Sequence, residues 1–197
     1  DPALIDADKL MQWSAPWRAR VLRHWFKTLG LPSPPGRAFE RIDPEILGAR
    51  PDALPELRWA GMRLERWRGC LHVERVRPPL PSDFECAWNG QAPLQLPGGD
   101  WLEIGLGGGP CKLPALVSPL RVRARRGGER IHLAGRSHSH ALKDCLQRAW
   151  MPPWRRRRLP LLFAPDDELL AAGDVIYSGR WQRDVASHTI WLSWRQA

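Results

Sequence analysis

The sequence predicts an α+β protein, in which a small helical domain with a terminal hairpin precedes a layered, β-sandwich-like domain with one main helix. Three observations predict this class. An amphipathic helical pattern lies near the start of the chain, and short apolar segments typical of strands follow it. The 20 prolines and 17 glycines among 197 residues exclude a mostly helical bundle, because both residue types interrupt helices.

The first helix is predicted between Ser14, which can cap its N-terminus, and Gly30, which can end it. Pro16 fits the first turn. The apolar positions form one stripe and are Val21, Leu22, Trp25, Phe26 and Leu29. The opposite face carries Arg18, Arg20, Arg23 and Lys27. This face is either a solvated surface or a surface that faces RNA, and Arg23 is our candidate contact on it.

The remainder of the first domain is predicted to contain one more helix and a hairpin. The second helix covers residues 36–47 and is interrupted by Pro44. Residues 57–76 follow as strands, with one turn at Ala60-Gly61 and the next at Gly69. This first domain is therefore a small unit of helices plus a hairpin.

The domain boundary is predicted at residues 77–82, where three of six positions are proline and the chain is stiff and extended. The two domains are then 1–77 and 78–197. In the second domain one good helix is predicted at about 139–150. The strand candidates are 84–88, 101–106, 120–125, 130–133, 159–163, 169–172, 175–177 and 189–194.

Positive charge is concentrated in one part of the chain. The protein has 30 Lys plus Arg against 21 Asp plus Glu, a net charge of +9 and a pI near 10.4. Residues 1–77 contribute +4 and residues 121–158 contribute +10, whereas 78–120 and 159–197 contribute −3 and −2. A coding bias toward arginine does not explain the acidic neighbours. The sequence therefore predicts a basic patch for a polyanionic partner.

Arg155–Arg158 is the densest part of this patch, and guanidinium groups match phosphate oxygens two at a time. A solvated loop or a targeting signal is the alternative interpretation. Trp150 and Trp154 offer flat faces for stacking bases, while the other tryptophans are expected in the core. No helix-turn-helix or zinc-finger spacing occurs, so no DNA partner is expected.

No motif predicts a catalytic or metal site. His138 and His140 lack a third ligand at useful spacing and are expected to be polar loop residues. The glycines of 105–109 are followed by Pro110, so we interpret this cluster as a turn and not as a phosphate loop. Asp166–Glu168 follows a proline between two strands and is predicted to be an acidic turn.

The four cysteines and the hydropathy bear on the environment of the protein. Cys70, Cys86, Cys111 and Cys145 show neither a CxxC pair nor a zinc-knuckle spacing, so buried thiols in a reducing, cytoplasmic setting are expected. No run approaches the roughly 20 apolar residues that span a bilayer, so no membrane partner is expected.

Four motifs follow one another in the second half of the chain. They are Gly135-Arg136, Leu142-Lys143, Pro152-Pro153-Trp154-Arg155-Arg156 and Leu159-Pro160-Leu161-Leu162-Phe163. Their order and spacing resemble the C-terminal domain of tRNA(Ile)-lysidine synthases. Residues 21–26, 49–53 and 66–71 resemble the helical substrate-binding domain of the same family. The resemblance covers about residues 10–177, and the Pro-Pro-Trp segment is its most specific part.

The resemblance implies an activity for the full-length family. That enzyme uses ATP, with magnesium, to adenylate the wobble cytidine of the isoleucine tRNA with a CAU anticodon, and lysine displaces AMP to form lysidine. The family's ATP chemistry belongs to an N-terminal PP-loop domain with a Ser-Gly-Gly-x-Asp-Ser loop. This sequence contains no Ser-Gly-Gly and begins at Asp1 without an initiator Met. We therefore expect part of a longer protein, without a cofactor and inactive alone, whose partners are this tRNA and the PP-loop domain.

The resemblance also implies roles for individual residues. Arg136, Lys143 and Arg156 match basic positions of the family motif, and Pro152, Pro153 and Trp154 are expected to fix the turn that presents them. Together with the charge pattern, the candidate tRNA-binding residues are Arg23, Arg136, Lys143, Arg148, Arg155, Arg156, Arg157 and Arg158.

The chain also departs from the family motif. His140 and Asp144 stand where the family often has basic residues. In the family an Asp often follows the Trp-x-Arg sequence, and this chain has Arg157 at that position. These departures move charge from the helix into the loop. The alternative function is a non-catalytic protein-interaction module or a general RNA-binding module.

Overall fold

The structure is a computed structural model that describes residues 3–50, 52–106, 119–186 and 190–195. It contains two compact units, Asp1–Arg77 and Pro78–Ala197. Each unit combines helices with antiparallel strands around its own hydrophobic core. The predicted α+β class is confirmed.

The first unit is built on a four-stranded antiparallel sheet with the strand order β1-β4-β3-β2. Its elements are β1 (Leu4–Asp6), α1 (Ala7–Met11), α2 (Ala15–Thr28), α3 (Gly36–Glu40), a π-helix (Ile42–Leu47), β2 (Glu56–Trp59), β3 (Met62–Trp67) and β4 (Cys70–Arg75). The turns at Ala60-Gly61 and Arg68-Gly69 have positive φ at both residues, as type I′ hairpin turns require. Both predicted turns are therefore confirmed.

Helix α2 supplies much of the core of the first unit. Leu22, Trp25 and Phe26 are buried, as the apolar stripe predicts. The helix ends in a Schellman motif, in which Gly30 has φ +64° and the Leu31 N–H donates to the Phe26 carbonyl at 2.9 Å. Ser14 takes the N-cap position, but its side chain makes no capping hydrogen bond.

Two features of the first unit go beyond the sequence prediction. Strand β1 pairs with β4 and widens the predicted hairpin into a sheet. The helix predicted over residues 36–47 is divided into α3 and the π-helix, which contains Pro44. Because Pro44 has no N–H to donate, the regular α-helical ladder cannot continue through it. The predicted interruption is confirmed.

The second unit contains a five-stranded sheet of order β13-β12-β11-β8-β5, a three-stranded sheet of order β14-β7-β6 and the pair β10-β9. Its strands are β5 (Glu85–Trp88), β6 (Leu94–Gln95), β7 (Trp101–Leu106), β8 (Leu120–Ala124), β9 (Arg130–Ile131), β10 (His140–Ala141), β11 (Pro160–Phe163), β12 (Leu169–Ala172), β13 (Ile176–Tyr177) and β14 (Ile190–Arg195). Both larger sheets contribute side chains to one core, for example Val122 and Leu192. Strands β11 and β12 are buried at every position.

The described residues of the second unit include three helices, namely α4 (Leu142–Arg148), α5 (Pro153–Arg156) and α6 (Gly179–Ala186). Helix α4 is shorter than the predicted 139–150, because residues 140–141 pair with β9. Helix α6 was not predicted. It begins where the Trp181 N–H donates to the Ser178 hydroxyl oxygen at 3.0 Å, which is an N-terminal cap.

Three cysteines lie within the described residues, and all are free. Cys145 is buried, while Cys70 and Cys86 are half-buried. Burial raises the pKa of each thiol, which disfavours the reactive thiolate. None of the described helices has the length and apolar character needed to cross a membrane.

Candidate nucleic-acid interface

The basic residues on and before helix α4 are exposed. The helix buries Leu142, Cys145 and Leu146 in the core, so its other positions face solvent. Lys143 and Arg148 occupy two of those positions, and Arg136 is exposed in the segment between β9 and β10. The structure therefore places these three predicted contacts at the surface of the second unit.

Several cations lie close to His140. The pKa of His140 is lowered from its ordinary value, first because burial penalises the charged ring, and then because the charges of His138, Arg148, Arg136 and Arg130 oppose protonation. The rings of His138 and His140 lie 4.7 Å apart between centroids. We call these five residues, Arg130, Arg136, His138, His140 and Arg148, the His140 cluster. The motif comparison did not select Arg130, whose proximity depends on the pairing of β9 with β10.

The arginine run Arg155–Arg158 is not one exposed patch. Arg157 is exposed, whereas Arg155 and Arg156 are half-buried. The Arg156 Nε donates to the Met151 carbonyl at 2.8 Å, so part of its guanidinium supports the preceding turn. Of this run, Arg157 presents the most accessible charge.

Arg158 is a structural residue, and its selection as an RNA contact was wrong. It is 4% exposed, and its Nη2 donates to both carboxylate oxygens of Asp100 at 2.6 and 2.5 Å. The Trp194 indole N–H donates to the same carboxylate at 3.1 Å. Because the polar groups of these three side chains hydrogen-bond to one another inside the core, Arg158 cannot reach a phosphate without unfolding its surroundings.

The Pro-Pro-Trp segment forms the start of helix α5. Pro152 is extended, with φ −62° and ψ 149°, and its carbonyl accepts hydrogen bonds from the next turn at 3.1 and 3.2 Å. Trp154 is 7% exposed and belongs to the buried core. It therefore anchors the turn and offers no exposed face on which a base could stack. Of our two interpretations of Trp154, the base-stacking one was wrong. Trp150 is 62% exposed.

The first unit has a basic and aromatic surface on helix α2. Arg23 is exposed, and its guanidinium carbon lies 4.3 Å from the centre of the Phe39 ring. Trp13 and Trp17 are about half exposed, with ring centroids 6.1 Å apart, and Arg20 lies over Trp17. The expectation that tryptophans outside the basic patch are core residues was wrong for these two, and also for Trp101 and Trp191, which are exposed.

The acidic turn at Asp166–Glu168 is confirmed between β11 and β12. Its carboxylates pair with arginines: Asp166 and Glu168 with Arg180, and Asp167 with Arg121 and Arg123. In the glycine cluster, Gly105 belongs to strand β7 and not to a turn. The glycines at 107–109 and Cys111 lie outside the described residues.

Comparison with known proteins identifies the family. Residues 6–72 match the family model described as the TilS substrate binding domain, and residues 120–194 match the TilS substrate C-terminal domain. A tRNA(Ile)-lysidine synthase of Xylella fastidiosa (strain Temecula1) is 39% identical over 200 residues, which cover 98% of this chain. The chain belongs to the tRNA(Ile)-lysidine synthase family. The predicted resemblance is confirmed.

Alignments with other members of the tRNA(Ile)-lysidine synthase family also cover nearly all of this chain and less than half of the relative. The synthase of Xanthomonas campestris pv. campestris (strain 8004) is 39% identical over 195 residues, which are 98% of this chain and 43% of that protein. The alignment with the Xylella protein covers 45% of that protein, so the chain spans less than half the length of these relatives. A crystal structure of the TilS C-terminal domain matches with 28% identity and a TM-score of 0.41, over 57% of this chain and 97% of that chain.

Proposed function

We propose that this chain is the tRNA-binding region of a cytoplasmic tRNA(Ile)-lysidine synthase. In this proposal it holds the isoleucine tRNA with a CAU anticodon for a PP-loop catalytic domain of the same protein. The observation that carries the proposal is that the matches cover both the substrate-binding and the C-terminal domain of the family. Relatives of this name align along 98% of the chain.

The surface chemistry supports a polyanionic ligand. Arg136, Lys143, Arg148 and Arg157 are exposed cations on the second unit, and helix α2 of the first unit has four basic residues and no acidic residue. Cations of this kind bind RNA phosphates and release counterions, so they give affinity that falls steeply with salt. Shape and unpaired segments of the RNA then supply the choice among tRNAs.

ATP and magnesium are assigned in this proposal to the catalytic domain. The sequence contains no Ser-Gly-Gly loop to hold the phosphates of ATP. Within the described part of the chain, no three His, Cys, Asp or Glu side chains are grouped so that they could hold a metal ion. The described residues therefore give no support for an ATP–magnesium site, which is why the proposal assigns it to the catalytic domain.

The first prediction concerns two arginines of the His140 cluster. We expect Arg136→Ser/Arg148→Ser to weaken binding of the isoleucine tRNA transcript about tenfold at 150 mM salt. Loss of two phosphate contacts should also reduce the slope of log K against log salt by roughly 1 to 2. Fluorescence anisotropy at several salt concentrations measures both quantities. The matched control is Arg195→Ser, because Arg195 is an exposed arginine of the same unit that pairs with Glu103 and lies outside the cluster.

The choice of RNAs separates this proposal from the alternatives. Preference for the isoleucine transcript over the CAU methionine transcript and over a generic duplex supports a tRNA-discriminating region. Equal binding of all three indicates a general RNA-binding module. If neither the parent nor the double variant binds RNA, a protein-interaction module is favoured, and the exposed Trp13 and Trp17 would be its apolar surface.

The second prediction concerns pH. The pKa of His140 is lowered in the free protein, so the ring is neutral at pH 7, and a nearby RNA phosphate would favour protonation. Binding would then take up a proton, and RNA affinity should rise severalfold as the pH falls from 7.5 to 5.5. His140→Gln should reduce that dependence, while His132→Gln, a change at an exposed histidine outside the cluster, should keep it. Identical pH profiles for the three proteins would contradict the prediction.

A further inference from the structure

A cleft of about 320 Å³ opens in the second unit among strands β8, β11 and β12 and the loop that follows β8. The candidate residues from the sequence do not line it. Apolar side chains, three arginines, two carboxylates and a pair of glycines make up its lining. Pockets of about this size hold small ligands when a few polar groups converge on an apolar surface.

A flat cationic surface forms one wall of the cleft. The guanidinium carbon of Arg123 lies 3.7 Å from the centre of the Phe163 ring. Asp167 holds Arg123 there, because its Oδ1 accepts from the Arg123 Nη2 at 2.6 Å. Asp167 lies in the turn between β11 and β12 with φ +68°, and its carboxylate also accepts from Arg121 on β8. A planar guanidinium fixed on an aromatic ring is a surface on which a nucleobase can stack.

The rim of the cleft carries the charge for a phosphate. Arg126 and Arg130 line it and are exposed. The lining carboxylates already have partners, because Glu129 accepts from the N–H groups of Arg126 and Gly127 at 2.6 Å and Asp167 pairs with Arg123. Gly127 and Gly128 have positive φ and open space where a Cβ would stand, so a ligand can approach their backbone closely. Arg126 also donates from its Nε to the Ser82 carbonyl at 3.1 Å and pairs with Glu85 at 3.5 Å, and Arg130 donates to the hydroxyl and carbonyl oxygens of Ser139 at 2.8 and 2.6 Å. Each of these exposed guanidiniums has further N–H donors that can bind an anion.

We propose that this cleft binds one unpaired nucleotide, with its base stacked on Arg123 and its phosphate bound by Arg126 and Arg130. This inference rests on the proposed RNA-binding function and deepens it, since it assigns a single-stranded part of the RNA to a defined place on the second unit. A base inside a duplex is stacked on both faces and cannot enter. A free mononucleotide shares the chemistry, but it lacks the neighbouring phosphates that the surrounding cations would bind.

The test compares two arginines that share one partner. Arg121 and Arg123 both lie on β8 and both donate to Asp167 Oδ1, at 2.9 and 2.6 Å, but only Arg123 lines the cleft. Arg123→Lys keeps the charge and removes the planar stacking surface, and Arg121→Lys is the matched control. We expect Arg123→Lys to weaken binding of a single-stranded RNA pentamer about tenfold, and Arg121→Lys to change it less than twofold.

Three probes distinguish a nucleotide within RNA from a free nucleotide, and they separate the cleft proposal from the proposed RNA-binding function. A single-stranded pentamer, a blunt RNA duplex and free AMP are titrated into the 197-residue chain. We expect the pentamer to bind more tightly than AMP, and duplex binding to be the same for parent and Arg123→Lys. Arg126→Ser, at an exposed rim position, gives a second variant that leaves the core intact and should weaken the pentamer several-fold.

The outcomes that would overturn the inference are specific. Equal losses for Arg121→Lys and Arg123→Lys would show that the loss comes from the contact with Asp167 that both arginines share and not from stacking in the cleft. No loss from Arg123→Lys or Arg126→Ser would show that the cleft is not used. In both cases unchanged duplex binding leaves the proposed function standing. Tight AMP binding with no gain for the pentamer would assign the cleft to a free nucleotide and would overturn the RNA assignment. Absence of binding to every RNA would remove both proposals together.

Discussion

Replacing Arg158 by methionine is expected to lower the free energy of unfolding of the second unit by about 3–5 kcal/mol. The arginine is 4% exposed and its partner Asp100 is equally buried, so the substitution leaves a carboxylate in the core without its cation. The Trp194 indole still donates to Asp100 at 3.1 Å, but one neutral hydrogen bond does not compensate a buried charge. This is the largest effect that we expect from a single substitution in the second unit.

Urea unfolding followed by hydrogen exchange of peptides within residues 120–172 measures this stability, since it reports on the second unit by itself. Arg157→Ser is the neighbouring control and should change stability by less than about 0.5 kcal/mol, because Arg157 is exposed. Asp100→Asn combined with Arg158→Met should recover part of the loss, since no unpaired charge then remains in the core. A single Arg158→Met variant as stable as the parent would contradict the structural role.

This buried ion pair also determines how the arginine run can be tested for RNA binding. A variant with serine at all four positions, Arg155–Arg158, would lose both an exposed charge and a core ion pair. Its loss of RNA binding could therefore come from unfolding. Arg157→Ser isolates the electrostatic contribution, while Arg158→Met, at a temperature where it stays folded, should bind RNA within about twofold of the parent.

Local signals predicted the hairpins of the first unit because the turn chemistry is contained in two residues. Ala60-Gly61 and Arg68-Gly69 both need positive φ at consecutive positions, and glycine supplies one of these at little cost. Strand β1 was missed because three residues are too short to show an alternating pattern. Its structure comes from pairing with β4, about 65 positions away in the chain.

In the candidate interface, too, some properties depend on neighbouring residues and others on residues far away in the chain. Arg157 and Arg158 are adjacent and chemically identical, yet one is exposed and the other is buried. The difference is decided by Asp100, 58 positions earlier, which no local pattern around the arginine run reveals. Likewise, the cleft at Arg123 depends on Asp167 and Phe163 from another part of the sheet. The structure shows motif residues such as Arg136 to be exposed, as a surface contact requires, and this prediction did not depend on knowing a distant partner.

The second large effect is expected in the first unit, from Phe26→Ala. Phe26 is fully buried, and its ring meets Trp59 edge to face with centroids 5.5 Å apart. Trp59 is itself held by its indole N–H, which donates to the Pro32 carbonyl at 2.8 Å, so the surroundings cannot easily close over a cavity. We expect a loss of about 3–5 kcal/mol in the free energy of unfolding.

That loss is large for a unit of this size. A domain of about 77 residues has a stability of roughly 4–12 kcal/mol, so Phe26→Ala should leave part of the first unit unfolded at 37 °C. Hydrogen exchange of peptides within residues 57–75 measures the effect, and Phe26→Leu should lose much less because it retains most of the volume. Trp17→Ala is the control for removing an aromatic ring from the same helix, and it should be nearly neutral because Trp17 is 51% exposed. Equal losses for Phe26→Ala and Trp17→Ala would contradict the assignment of α2's buried face.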